Sequence, residues 1–199
     1  MSHRENMLMK NTAFFMCDIQ ERFRQSVRYF PEITDAAQKL LQLSKLLNIP
    51  LIVTEQYPTG LGSTIPELDV SHAVGVYSKT KFSMIVPEVS RFLDGQVGKQ
   101  IEVVVLFGVE AHVCVEQTAI DLLDYGKIVH IVGDATSSRS QDDRTLAFQV
   151  NIRLRQMGCY IDTTESIIFR LVKDKNHPLF NDIRQLVKHA THDTGLSKM

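Results

Sequence analysis

Asp18, Lys79 and Cys114 each come at or just after the end of a short apolar run: "TAFFMC", "AVGVY" and "IEVVVLF". A cysteine attacks only as the thiolate, and a free thiol with a pKa of about 8.5 is mostly protonated at neutral pH. Backbone amides at a helix N-terminus favour the charged form, and so does a nearby ammonium. A carboxylate beside the thiol takes its proton and later returns it to a leaving amine. A lysine holds that carboxylate and stabilises the charge that develops. The three residue types together make a self-consistent acyl-transfer site. Taken singly each has a plainer reading: the cysteine as a small packing residue, the aspartate as a turn or helix cap, the lysine as a solvated strand end.

The elements that must position these groups alternate along the chain. "TAFFMCDIQ" opens as a buried strand, and "ITDAAQKLLQLSKLLN" repeats its apolar residues every three or four positions up to Asn48 and Pro50, where a helix should stop. The strand "PLIVTE", a Gly- and Pro-rich loop, the strand-like "AVGVYSK" and a helix from Pro87 towards Leu93 follow. "IEVVVLF" reads as a central strand, "AHVCVEQTAIDLLDYG" as a helix closed by Gly126, and "KIVHIVGDA" as the next strand. A helix from Asp142 to about Met157, the strand "CYIDTT" and helical turns through "HPLFNDIRQLVKHA" complete the reading. The pattern predicts an α/β fold: a three-layer, mostly parallel Rossmann-like sheet with helices on both faces. Ligands of such sheets sit beyond the carboxyl ends of the strands, where Asp18, Lys79 and Cys114 fall.

Composition bounds the rest. The 199 residues fit a single domain over 1–199, with 191–199 a polar, exposed tail. Lys and Arg number 22 against 23 Asp and Glu, scattered along the chain, so there is no basic field and a nucleic-acid partner is disfavoured. No apolar stretch reaches the roughly 18 residues that span a bilayer, and the first residues lack the apolar core of a secretory signal. A cytoplasmic protein without a membrane partner is expected. The closing Ser197-Lys198-Met199 imitates a peroxisomal address, with Met199 where leucine is usual. Three cysteines without a CxxC pair argue for reduced thiols rather than a disulfide framework or zinc knuckle.

"DIQERF", "KTKFSM" and "GVEAHVCVEQTAIDLLDYG" resemble, in order and spacing, the three signatures of the isochorismatase-like cysteine hydrolase family. "TEQYPTGLGSTIPEL" and "DATSSRSQDDR" are similar to its eukaryotic isochorismatase domain-containing branch. The resemblance implies that Asp18 is the acid-base residue and Cys114 the nucleophile. The family's lysine matches Lys79, with Lys81 as runner-up because residues two apart on a strand share a face. It also implies a cis peptide at Val109–Glu110, which would aim backbone amides at an oxyanion. Nicotinamidases of the family bind zinc through histidines just after the aspartate. This chain has none at that spacing, so no metal and no cofactor is expected. Gln20, Phe23, Tyr57 and Phe82 are candidate substrate-binding walls, with core packing the equal reading for the aromatics; His112 reads as a helix-start residue or a pocket lining. The expected function is metal-independent hydrolysis of a small amide or related acyl compound through an acyl-enzyme. The alternatives are a non-catalytic interaction protein on the same fold, or a nuclease or RNA binder. The apolar C-terminal segments and the family's habit predict a homo-oligomer.

Overall fold

The computed structural model describes residues 11–153, 158–190 and 192–196. Its centre is a six-stranded sheet of β1 (Thr12–Cys17), β2 (Leu51–Gln56), β3 (Gly75–Lys79), β4 (Val103–Val109), β5 (Ile128–Ser137) and β6 (Cys159–Asp162). The spatial order is β3-β2-β1-β4-β5-β6, and every neighbouring pair is parallel. All six residues of β1 and all seven of β4 are buried, the mark of inner strands covered on both faces. Along β1 the side chains alternate, with Phe14 and Met16 facing one core and Ala13, Phe15 and Cys17 the other.

The helices divide between the two faces. The core of Phe14 and Met16 is closed by α1 (Phe30–Leu47), α6 (Thr164–Val172) and α7 (Phe180–Leu186). The opposite core is closed by α3 (Pro87–Asp94), α4 (Glu116–Asp124) and α5 (Gln141–Arg153), while the short α2 (Pro58–Leu61) lies in the loop after β2. Proline in the first turn starts α1 and α3, and Asn48 in the left-handed region ends α1. The three-layer α/β architecture expected from the alternating periods is therefore the one observed.

Four local readings change. The segment after β4 opens not as an α-helix but as a π-type turn, Ala111–Val115, which carries Cys114 into α4. The last strand stops at Asp162 rather than running through "TT", because Thr163 caps a helix: its Oγ1 accepts from Ser166 N at 3.3 Å. That helix, α6, was not foreseen, and it buries Ile167, Ile168, Leu171 and Val172 against α1 and the sheet. The apolar residues of the C-terminal helices thus act mainly within the monomer. The expected exposed tail is in part docked. Thr194 and Gly195 are buried and Leu196 packs on Gly133. The anchor is Arg144, fully buried between the Tyr29 and Phe148 rings, which donates to the carbonyls of Thr136, Gly133 and Thr194. Burial lowers its pKa to about 10, and the Thr194 carbonyl of the docked segment accepts one of its hydrogen bonds. The foreseen end of the Asp142–Met157 helix, and Ser197-Lys198-Met199, lie outside the described residues.

Candidate functional site

The strand order reverses direction between β1 and β4: the chain builds outward from β1 to β2 and β3, then returns to the other side of β1 with β4. Crevices form beyond the carboxyl ends of strands at such a point. Cys17, the last residue of β1, is level with Gly108 of β4, so Asp18 and the π-type turn leave the sheet side by side. Gly108 has φ +125°, and a Cβ there would run into the Cys17 carbonyl. Only glycine permits this close approach. The Val109–Glu110 peptide that follows is cis, at the position the family resemblance implied.

Asp18 is fully buried and sits at φ 52°, its N–H donating to Thr54 O at 3.2 Å. Three donors converge on its carboxylate. Thr54 Oγ1 gives a hydrogen bond to Oδ1 at 2.7 Å, and Lys79 Nζ gives one to Oδ2 at 2.6 Å. The Cys17 thiol reaches Oδ2 at 3.5 Å. Neither side chain of the Asp18–Lys79 pair has any solvent exposure. Lys79 Nζ also donates to Gln56 Oε1 at 2.6 Å and to Phe82 O at 2.8 Å. Burial by itself lowers the Lys79 pKa, but the facing Cys17, Asp18 and Cys114 groups outweigh it, and the net shift is upward. The lysine is a held cation.

Cys114 faces this pair, 6% exposed. Its sulfur, the Cys17 sulfur and an Asp18 oxygen all lie within 4.8 Å of one another. Thr118 joins the two halves of the site: its Oγ1 donates to Cys114 O at 2.6 Å and accepts from Met84 N, in the lysine-bearing loop, at 2.9 Å. The three donor atoms of Cys17, Asp18 and Cys114 are close enough to share a metal ion, yet Asp18 Oδ2 already faces the Lys79 ammonium. A second cation there would meet like charge at contact distance.

The structure thus brings Asp18, Lys79 and Cys114 together and turns Lys81 away. Lys81 Nζ pairs with Asp121 Oδ2 at 2.7 Å on the surface. Gln20 is not a free pocket wall. It is fully buried with its amide engaged by backbone: Nε2 donates to Gln56 O and Gly62 O, and Oε1 accepts from Gln56 N. It holds the strand end from which Gln56 reaches Lys79. Phe23 packs, half-buried, on the α1-side core. Tyr57 and Phe82, more than half and about half exposed, do border the site, since Tyr57 N donates to Lys79 O and Phe82 O accepts from Lys79 Nζ. Glu110 Oε2 accepts from Arg139 N and Nε, and His112 Nδ1 lies 2.9 Å from Ser138 Oγ, so both fasten the β5–α5 loop to the Cys114 turn. Cys17, Thr54, Gln56 and Thr118 were missed. Cys17 and Gln56 are the last residues of β1 and β2, where the strand-end rule that singled out Asp18 applies equally, and Thr54 lies two positions before the end of β2.

Comparison with known proteins places the sequence and the fold in a family. An Isochorismatase domain model matches residues 12–166. "Isochorismatase domain-containing protein 1" of Danio rerio is 48% identical over 96% of this chain and 66% of its own length, so the chain spans just under two thirds of that relative. "Isochorismatase domain-containing protein 2" of Homo sapiens is 44% identical over 96% of this chain and 89% of its own. A solved structure of "MAR1 Ribonuclease from Caenorhabditis elegans" superposes with a TM-score of 0.87 at 42% identity, covering 96% of both chains.

Proposed function

The chain belongs to the isochorismatase family, and we propose that it is a cysteine hydrolase, working without a resident metal, of a small amide or related acyl compound. The observation that carries this reading is the meeting of a thiol, a carboxylate and an ammonium at the β1–β4 seam. Cys114 Sγ passes its proton to Asp18 and attacks the substrate carbonyl carbon. The carbonyl electron pair moves onto oxygen, where backbone amides of the Cys114 turn stabilise it. Collapse of this intermediate breaks the C–N bond, and the amine leaves with the proton held by Asp18. Water then gives a proton to Asp18, attacks the thioester and releases the acid, restoring the thiol. Lys79 keeps Asp18 fixed throughout, and Tyr57 and Phe82 form the rim that meets the substrate.

A homo-oligomer in the cytoplasm is the companion reading. Val76 in the outer edge strand β3 and Val74 just before it are about half exposed, and the three cysteines are free thiols. The name of the Caenorhabditis elegans relative favours a second reading, ribonuclease activity, which the net charge of −1 does not support.

Selective alkylation followed by turnover tests the hydrolase reading. Burial pushes the Cys159 thiol up to about 12 and Cys17 well above the ordinary thiol range, so iodoacetamide at neutral pH should modify Cys114 alone. Asp18→Asn should slow that reaction. Cys114→Ala should stay folded and lose turnover of any amide that the parent cleaves by several powers of ten. Amide turnover at the parent rate by Cys114→Ala would sink the hydrolase reading. RNA cleavage retained by the same variant would assign a nuclease that does not use the thiol.

A further inference from the structure

The hydrolase reading leaves one nucleophilic group of the site unused. Cys17 closes β1 with no solvent exposure, and its sulfur lies within 4.8 Å of the Cys114 sulfur and within 3.5 Å of Asp18 Oδ2. A small hydrophobe would fill the same space in the β1 end, whereas this position brings a second thiol to the reacting one. We propose that Cys17 and Cys114 form a peroxide-sensitive thiol pair, in which Cys17 resolves oxidised Cys114 into an intramolecular disulfide that reversibly blocks the site. The inference rests on Cys114 being the reactive thiol of the hydrolase reading.

The chemistry divides between the two sulfurs by access. Cys114 has the opening to solvent, so it meets a hydroperoxide first. Its thiolate attacks one oxygen of ROOH, the O–O bond breaks, and the released alkoxide takes a proton to leave as ROH; Cys114 is now a sulfenic acid. The Cys17 sulfur then attacks the Cys114 sulfur. The S–O bond breaks, its oxygen departs as water with the Cys17 proton, and the S–S bond forms. The two sulfurs together have lost two electrons, and the hydroperoxide has been reduced to alcohol and water. Asp18 Oδ2, 3.5 Å from the Cys17 sulfur, takes that proton and passes it on to the departing oxygen. Until then burial, the hydrogen bond with Cys114 and the charge of Asp18 keep Cys17 protonated, so it does not compete as a nucleophile for substrate. Cys159 takes no part: it belongs to β6, which β4 and β5 separate from β1.

The test is a peptide map of the full-length protein. The parent, Cys17→Ala and Cys159→Ala are treated with a small excess of hydrogen peroxide, blocked with N-ethylmaleimide and digested without reductant. The expected result is a linked pair of the Cys17 and Cys114 peptides lacking two hydrogens, in the parent and in Cys159→Ala. Dithiothreitol should dissolve it and restore full iodoacetamide reactivity at Cys114. In Cys17→Ala, Cys114 should instead gain two oxygens as a sulfinic acid that dithiothreitol does not reverse. If the parent itself yields Cys114 sulfinic acid with Cys17 unlinked, the thiol pair is refuted while a reactive Cys114 stands. If Cys114 in the parent resists both peroxide and iodoacetamide, the thiol pair and the hydrolase reading fall together. The parent map decides the matter even where Cys17→Ala folds poorly.

Discussion

Lys79→Met keeps nearly the same side-chain volume and removes one charge, so it isolates the ion pair at the centre of the site. Among the described residues Asp18 then keeps the Thr54 hydroxyl and the Cys17 thiol, and loses the ammonium at 2.6 Å. Neither partner has any side-chain exposure, so water cannot replace the lysine without opening the fold. Removing one member of a buried pair costs about 3–5 kcal/mol, because the charge left behind has no compensation. For a chain of this size each kcal/mol lowers Tm by about 2–4 °C, which places the variant about 6–20 °C below the parent. Changing both residues, Asp18→Asn with Lys79→Met, removes the orphaned charge and should recover most of the loss. Denaturant titrations of the parent, both single variants and the double variant at neutral pH measure all of this. A Lys79→Met protein as stable as the parent, or a double variant whose losses simply add, would refute the reasoning.

Lys81→Met serves as the contrast: its ion pair with Asp121 is half exposed, so the same titration should show a change of about 1 kcal/mol or less. Gly108→Ala should destabilise by about 2 kcal/mol or more and slow alkylation of Cys114, since the new Cβ meets the Cys17 carbonyl and φ is +125°. The raised pKa of Lys79 means that its contribution is fully present below 10.5, the ordinary lysine value, and is lost as pH rises through the folded-state value; alkaline titration of the parent should show that decline. Sedimentation at micromolar concentration should show a species heavier than the 22.6 kDa chain, and a purely monomeric boundary would remove the oligomer reading.

Much of the site could be read before folding because its parts lie in short, self-announcing segments. Asp18 and Cys114 stand at or just beyond the ends of continuous apolar runs, and the signatures around them carried the family. Gln20 is hard to read for a different reason. An amide in a loop looks equally fit for substrate or backbone, and only the approach of Gly62 and Gln56 decided that it is saturated. Lys79 and Lys81 share a strand-end pattern, and the choice between them needed the position of Asp18 in space. The helix Thr164–Val172 was hidden by length, its nine residues following a strand with no intervening loop.

Periodicity and residue type alone determined the alternation of strands and helices, the burial of β1 and β4, and the residues able to carry acyl transfer, because these depend on neighbours a few positions away. Tertiary structure alone decided the strand order, and with it that β1 and β4 are adjacent, so that groups 96 positions apart meet in one buried cluster. It also decided that Cys17 is a partner of Cys114 rather than one more buried residue of a strand, and that Arg144 draws residues 194–196 onto the sheet. A thiol pair and a buried guanidinium are contacts across long sequence separation. No local pattern of apolar and polar residues records them, since burial in either case looks the same from the chain.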